Sequence, residues 1–134
     1  MKKDIFLTGL MIIYCLALTC AIADENINFY KNSSAVKKQI ELYSNALEDY
    51  KKDCGQLPFT YQGLEALWQK PILYPIPQNW KGPYISEEIQ ADPWGGDYVY
   101  NNSGKSFCIM CLGRDRQRGG FGCDKDFLLT KSVF

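Results

Sequence analysis

Residues able to do chemistry gather in one stretch, LGRDRQRGGFGCDKD, Leu112 to Asp126. It holds Asp115, Asp124 and Asp126, together with Gly113, Gly119, Gly120, Gly122 and Cys123. Glycines let a backbone turn through positive φ and present its carbonyls. Carboxylates and carbonyls suit a hard cation such as Ca²⁺, which takes about 6–8 oxygen ligands. The stretch has no His, and its single soft ligand is Cys123, so it is a poor transition-metal site. Two readings stand open on spacing alone. One is a calcium loop that pins the C-terminal part of the fold. The other is a solvated Gly-rich turn, because the spacing is not the regular EF-hand pattern. Arg114, Arg116 and Arg118 favour the second, since each could pair with an acid in place of a cation.

Other chemistry is disfavoured by composition. The chain has no histidine, which removes the commonest general base and zinc ligand. No Ser or Cys nucleophile has a plausible base, so an enzyme is not expected. The formal net charge is zero and no basic patch stands out, so nucleic acid is not an expected partner. With 134 residues and 46% hydrophobic content there is material for one domain with a core.

The N-terminus reads as an export or anchor segment. Lys2 and Lys3 precede an apolar run from Ile5 to Ala23, and Ala21-Ile22-Ala23 is a small-residue cleavage pattern. The run is just long enough to span a bilayer. Cleavage after Ala23 is the first expectation and an uncleaved anchor the second. Lipid modification of Cys20 is the third, with Thr19 a poor residue before it. All place the remainder outside the cytoplasm: periplasmic, inner-membrane anchored or secreted. The expected organisation is a signal peptide or anchor over 1–23 and a domain over 24–134. Residues 5–23 would touch membrane if uncleaved. Export leaves Cys54, Cys108, Cys111 and Cys123, an even number that points to two disulfides with three pairings open. Cys108-x-x-Cys111 also has zinc spacing, but the other two cysteines are single and distant.

The acidic stretch needs elements to position it. Asp24 to Asn32 is polar and reads as loose, with Ser33 or Ser34 as a helix N-cap. Val36, Ile40, Tyr43, Leu47 and Tyr50 then fall in steps of four and three, one face of a helix running to Cys54. Gly55 stops it and Pro58 prevents resumption. Thr60 caps a short helix from Tyr61 to about Gln69, with Leu64, Leu67 and Trp68 inward and Pro71 as its end. Pro71 to Pro83 holds four prolines and reads as an irregular crossing anchored by Tyr74, Ile76 and Trp80. Asp92-Pro93-Trp94-Gly95-Gly96 is a turn. Asp97–Tyr100 and Lys105–Leu112 read as a hairpin closed by Asn101–Gly104. The apolar tail from Phe127 to Phe134 reads as a further strand.

Several local patterns follow one another in a recognisable order. They are NALEDYKKDCGQLP (Asn45 to Pro58), TYQGLEALWQKP (Thr60 to Pro71), GPYI (Gly82 to Ile85), DPWGGDYVY (Asp92 to Tyr100) and the LGRD…GG.G.D.D stretch. Together they make the chain resemble the major pseudopilin of type II secretion systems, over about Ala35 to Phe127. The resemblance implies an α+β fold: an N-terminal helix packed on a small antiparallel sheet, pseudopilin-like, with a C-terminal acidic Gly-rich loop. It implies a non-enzymatic structural or accessory component of the pseudopilus, acting in protein secretion. Its partners would be other pseudopilin or secretion-system proteins. The alternative is a free periplasmic or secreted disulfide-stapled domain outside the filament.

The resemblance also implies Ca²⁺ in the acidic loop. Asp115 matches the acid of the LGxD pattern and Asp126 the later Asp before an apolar residue. Asp124 lies in the acidic stretch between, and the Leu112 carbonyl is the implied main-chain ligand. Phe121 and Cys123 stand where the family often has acids, which implies weaker binding. A Cys111–Cys123 or Cys108–Cys123 bridge would staple the same loop. The front of the chain departs from the family. Counted back without gaps from Tyr50, Met1 falls at the mature start and Ile5 at the family's Glu. An intramembrane carboxylate is costly unless paired, so its replacement by Ile5 removes an assembly contact.

Overall fold

The computed structural model describes residues 2–132, with side chains from residue 10 onward. The chain forms two units, residues 1–33 and 34–134. Helix α1, Lys2–Cys54, begins in the first and ends in the second.

In the first unit the helix is continuous through Asp24–Asn32, the segment expected to be loose, and Ser33 is not a cap. Between residues 10 and 54 there is no Gly or Pro. Scattered polar residues do not interrupt a helix that is already propagating. Their side chains fold back instead. Asn26 Nδ2 donates to the Ile22 carbonyl at 2.9 Å, and Ser33 Oγ to the Phe29 carbonyl at 2.7 Å. Both are the four-residue return typical of polar residues inside a helix. Leu10, Met11, Ile13, Tyr14, Leu16 and Ile22 are all exposed. The helix is long and apolar enough to cross a membrane.

The second unit holds the core. Val36, Ile40, Tyr43, Leu47 and Tyr50 are all buried, as their spacing predicts. Each fully buried aliphatic side chain contributes roughly 1.5–3 kcal/mol. Gly55 ends the helix at φ 79°, donating its amide to the Lys51 carbonyl at 2.8 Å, a left-handed cap that a Cβ would strain.

Strands β1 (Val99–Asn102), β2 (Ser106–Cys111) and β3 (Phe127–Ser132) form an antiparallel sheet in that order. Asn102 pairs with Phe107 and Cys111 with Phe127. The expected hairpin and tail strand are therefore present, but the first strand lies two residues later than expected, with Asn101 and Asn102 paired in β1 and not in the turn; Val133 and Phe134 lie outside the described residues. Phe107, Ile109 and Cys111 bury one face of β2, and Ser106, Cys108 and Met110 lie half-buried on the other. Tyr43 of the helix meets Tyr98 edge to face at 5.4 Å.

The expected second helix is a single tight turn, Leu64–Leu67, with Leu64, Ala66 and Leu67 buried. Trp68 is only half-buried. The proline-rich crossing also differs. Tyr74 and Ile76 are exposed, and only Trp80 anchors, its Nε1 donating to the Ala66 carbonyl at 2.9 Å. The reason is a polar tether. Buried Gln62 donates Nε2 to the Leu73 and Pro75 carbonyls at 2.9 and 3.1 Å. The crossing is held by its backbone, so its apolar side chains need not turn inward.

Candidate metal-binding loop

The acidic stretch is the connection between β2 and β3. Its neck is the Cys111–Phe127 pair. Above the neck the outgoing and returning backbones lie against each other. The Arg114 amide donates to the Cys123 carbonyl at 2.9 Å. A Cβ on Gly113 would sit 2.9 Å from the Lys125 carbonyl oxygen and 3.0 Å from that of Cys123. On Gly120 it would sit 2.3 Å from the Asp124 carbonyl oxygen, at φ 83°. Glycine is required at these two points for close approach as well as for φ.

The three acids do different things. Asp115 is exposed, and its Oδ1 accepts from the Gln117 amide at 3.0 Å, closing a local turn. Asp124 is half-buried and held by Arg114: Nε to Oδ1 at 2.9 Å and the terminal nitrogen to Oδ2 at 3.3 Å. Asp126 Oδ2 accepts from the Gly119 amide at 2.9 Å, while its Oδ1 is buried without a hydrogen-bond partner. Leu112 is half-buried, immediately after β2. Among the described residues no three of His, Cys, Asp or Glu are gathered closely enough to hold a metal ion.

Calcium fits this loop in part. A buried carboxylate oxygen without a donor is uncommon in a native fold and is the donor type Ca²⁺ takes. Asp126 meets that test. Asp124 does not, because a guanidinium already covers both of its oxygens.

The disulfide expectation is corrected. Cys15, Cys20, Cys54, Cys108, Cys111 and Cys123 are free thiols. Cys111 and Cys108 face opposite sides of β2, and Cys111 is engaged elsewhere. Its Sγ donates to Asp92 Oδ2 at 3.1 Å. Burial first, and then the Asp92 carboxylate, push that thiol up to about 12.

Asp92 was legible in the sequence only as the start of a turn. It is buried, and its Oδ1 accepts from the Trp94 and Gly96 amides at 2.9 and 2.8 Å. Arg116, at φ 57°, reaches from the acidic loop to the same turn. It donates to the Trp94 and Gly95 carbonyls at 3.4 and 3.1 Å. Trp94 in turn stacks with Phe127, ring centres 6.3 Å apart. The loop is thus fixed to the DPWGG turn at one end and closed by Arg114 at the other. The sequence signal for both was the alternating arginines, whose partners lie too far along the chain to be assigned by spacing.

The sequence and the overall fold are similar to those of known proteins. The chain is similar to the type II secretion system core protein G of Pseudomonas aeruginosa, 38% identical over 95 residues, covering 69% of this chain and 67% of that protein. The protein of that name from Vibrio cholerae is 45% identical over 85 residues, 61% of this chain and 57% of that one. The Escherichia coli K12 protein is 30% identical over 115 residues, 82% and 79% of the two chains. The fold matches a crystal structure of the major pseudopilin of the type 2 secretion system of enterohaemorrhagic Escherichia coli. There the TM-score is 0.65 at 30% identity, over 75% of this chain and 84% of that one. With a family model described as type II secretion system protein G matching residues 29–129, the chain belongs to that family.

Proposed function

We propose that this chain is a non-enzymatic structural subunit of a type II secretion pseudopilus, anchored in the inner membrane with its second unit in the periplasm. The observation that carries this is the uninterrupted helix α1. Its apolar, exposed side chains from Leu10 to Ile22 lead without a break into the helix that carries the buried stripe. Such a surface is unfavourable in water and suits lipid or the packed helices of neighbouring subunits. The relatives are named as core proteins of this secretion system, which supports assembly with other secretion proteins.

The test is fractionation of the exported chain and the mass of its mature form. An assembled subunit retains the apolar segment and follows the inner membrane or sheared filaments. A soluble form starting at Asp24 would instead establish a free periplasmic domain.

The same reading includes Ca²⁺ in the β2–β3 loop. The residues that would hold it are Asp126, whose buried oxygen is open, then Asp115 and the Leu112 carbonyl, with Asp124 joining only once Arg114 gives up its oxygens. The buried, unpartnered Asp126 oxygen supports this. The ion would cross-link the returning backbone to the β2 end, stabilising the loop by linkage to the folded state. Calcium would raise the melting temperature and EDTA would lower it; a melting temperature indifferent to both would remove the ion from the reading.

A further inference from the structure

We infer that Arg114 is an internal counter-ion that competes with a divalent cation for Asp124, and so sets how strongly the β2–β3 loop depends on calcium. The inference rests on the calcium reading above.

The Arg114 guanidinium lies along both oxygens of Asp124, Nε to Oδ1 at 2.9 Å and the terminal nitrogen to Oδ2 at 3.3 Å. This two-point fork is the strong, orientation-specific form of the ion pair. The same residue's amide donates to the Cys123 carbonyl at 2.9 Å. One residue therefore joins the outgoing arm of the loop to the returning arm twice. Bringing those arms together is what a calcium ion bound by acids on both would do.

The two cations contend for Asp124. The guanidinium takes one of the two lone-pair sites on each Asp124 oxygen, which are sites a cation would also use. A dication at that carboxylate would also stand within a few ångströms of a fixed positive charge. The pair is displaceable, however. Arg114 is 53% and Asp124 33% exposed, and exposed ion pairs are individually weak. Competition, rather than exclusion, follows. Asp126 is unlike Asp124 in this respect, since its buried Oδ1 has no partner. Arg116 plays a different part, because its donors go to the DPWGG carbonyls.

The experiment uses the full chain in detergent micelles. Calcium titration by calorimetry and melting in CaCl2 or EDTA are compared for the natural sequence, Arg114→Gln and Arg114→Lys. Arg114→Gln is expected to bind calcium up to about 5-fold more tightly, the scale of one displaceable exposed ion pair. Its melting temperature should fall further on adding EDTA than that of the natural chain. Arg114→Lys, which keeps the charge but loses the fork, should lie between. A natural chain insensitive to calcium beside an Arg114→Gln variant that responds also supports the inference, with Arg114 having taken the ion's place. Equal calcium affinity in all three chains overturns it and leaves the calcium reading standing. No calcium response in any of them overturns both. If Arg114→Gln fails to fold even with calcium present, Arg114→Lys decides alone: an affinity equal to the natural chain's overturns the inference.

Discussion

The thiol of Cys111 donates to Oδ2 of Asp92 across 3.1 Å, both residues being buried. With the Trp94 and Gly96 amides on Oδ1, the carboxylate has three donors and no exposure to speak of. A Cβ on Gly96 would stand 2.9 Å from Oδ2, so the turn closes tightly around the acid. This explains the DPWGG pattern physically. The Asp is the hub, and the glycine makes room for it. Asp92→Ala should leave these donors unpaired and destabilise the second unit by about 2–4 kcal/mol, read as a lowered denaturant midpoint.

The same pair predicts a pH dependence. The folded thiol keeps its proton up to about 12, against an ordinary 9.0. Its contribution to stability is therefore complete below pH 9 and declines as pH climbs towards 12. Melting temperatures of the natural chain and Cys111→Ala should converge over that interval. At pH 8 the folded thiol should resist iodoacetamide while the unfolded one reacts. Rapid modification of Cys111 in the folded chain would contradict its complete burial.

Two neighbouring glycines should respond differently to alanine. Gly120→Ala drives a Cβ to 2.3 Å from the Asp124 carbonyl oxygen, whereas Gly119→Ala meets nothing within 4 Å. Both have positive φ, so both acquire backbone strain. Gly119→Ala should cost about 1 kcal/mol, and Gly120→Ala about 2–4 kcal/mol because the loop arms must also separate. Thermal melting of the two variants side by side measures the difference.

Gln62 makes the third case. Its Oε1 accepts from the Phe59 amide at 2.9 Å, and its Nε2 serves the Leu73 and Pro75 carbonyls. Gln62→Ala should destabilise the second unit by about 1–3 kcal/mol. It should also release the exposed Ile72–Tyr74 crest. Limited proteolysis would then cut near Tyr74 faster in the variant than in the natural chain.

The apolar stripe of α1, the Gly55 stop, the hairpin and the tail strand were legible because each is a local matter. A 3.6-residue period, a left-handed glycine and an alternating strand announce themselves within a dozen residues. The helix start was misjudged for a related reason. Ser33 and Ser34 have the chemistry of caps, but a cap acts only where a helix has somewhere to begin. Here the preceding residues were already helical. Tyr74 and Ile76 misled because the tether that replaces them, Gln62, is eleven and thirteen residues away from its acceptors.

By itself, then, the sequence determined the buried stripe of the long helix and its glycine stop, the strands of the sheet, and that one acidic, glycine-rich connection follows the second strand. Tertiary structure alone decided what each polar group in that connection faces. Asp124 meets Arg114 ten residues away, Arg116 meets Gly95 across twenty-one, and Cys111 meets Asp92 across nineteen. The physical reason is that a carboxylate or thiol is satisfied by whichever donor or acceptor the folded backbone brings within about 3 Å. Composition names the candidates, but only the packed chain selects among them.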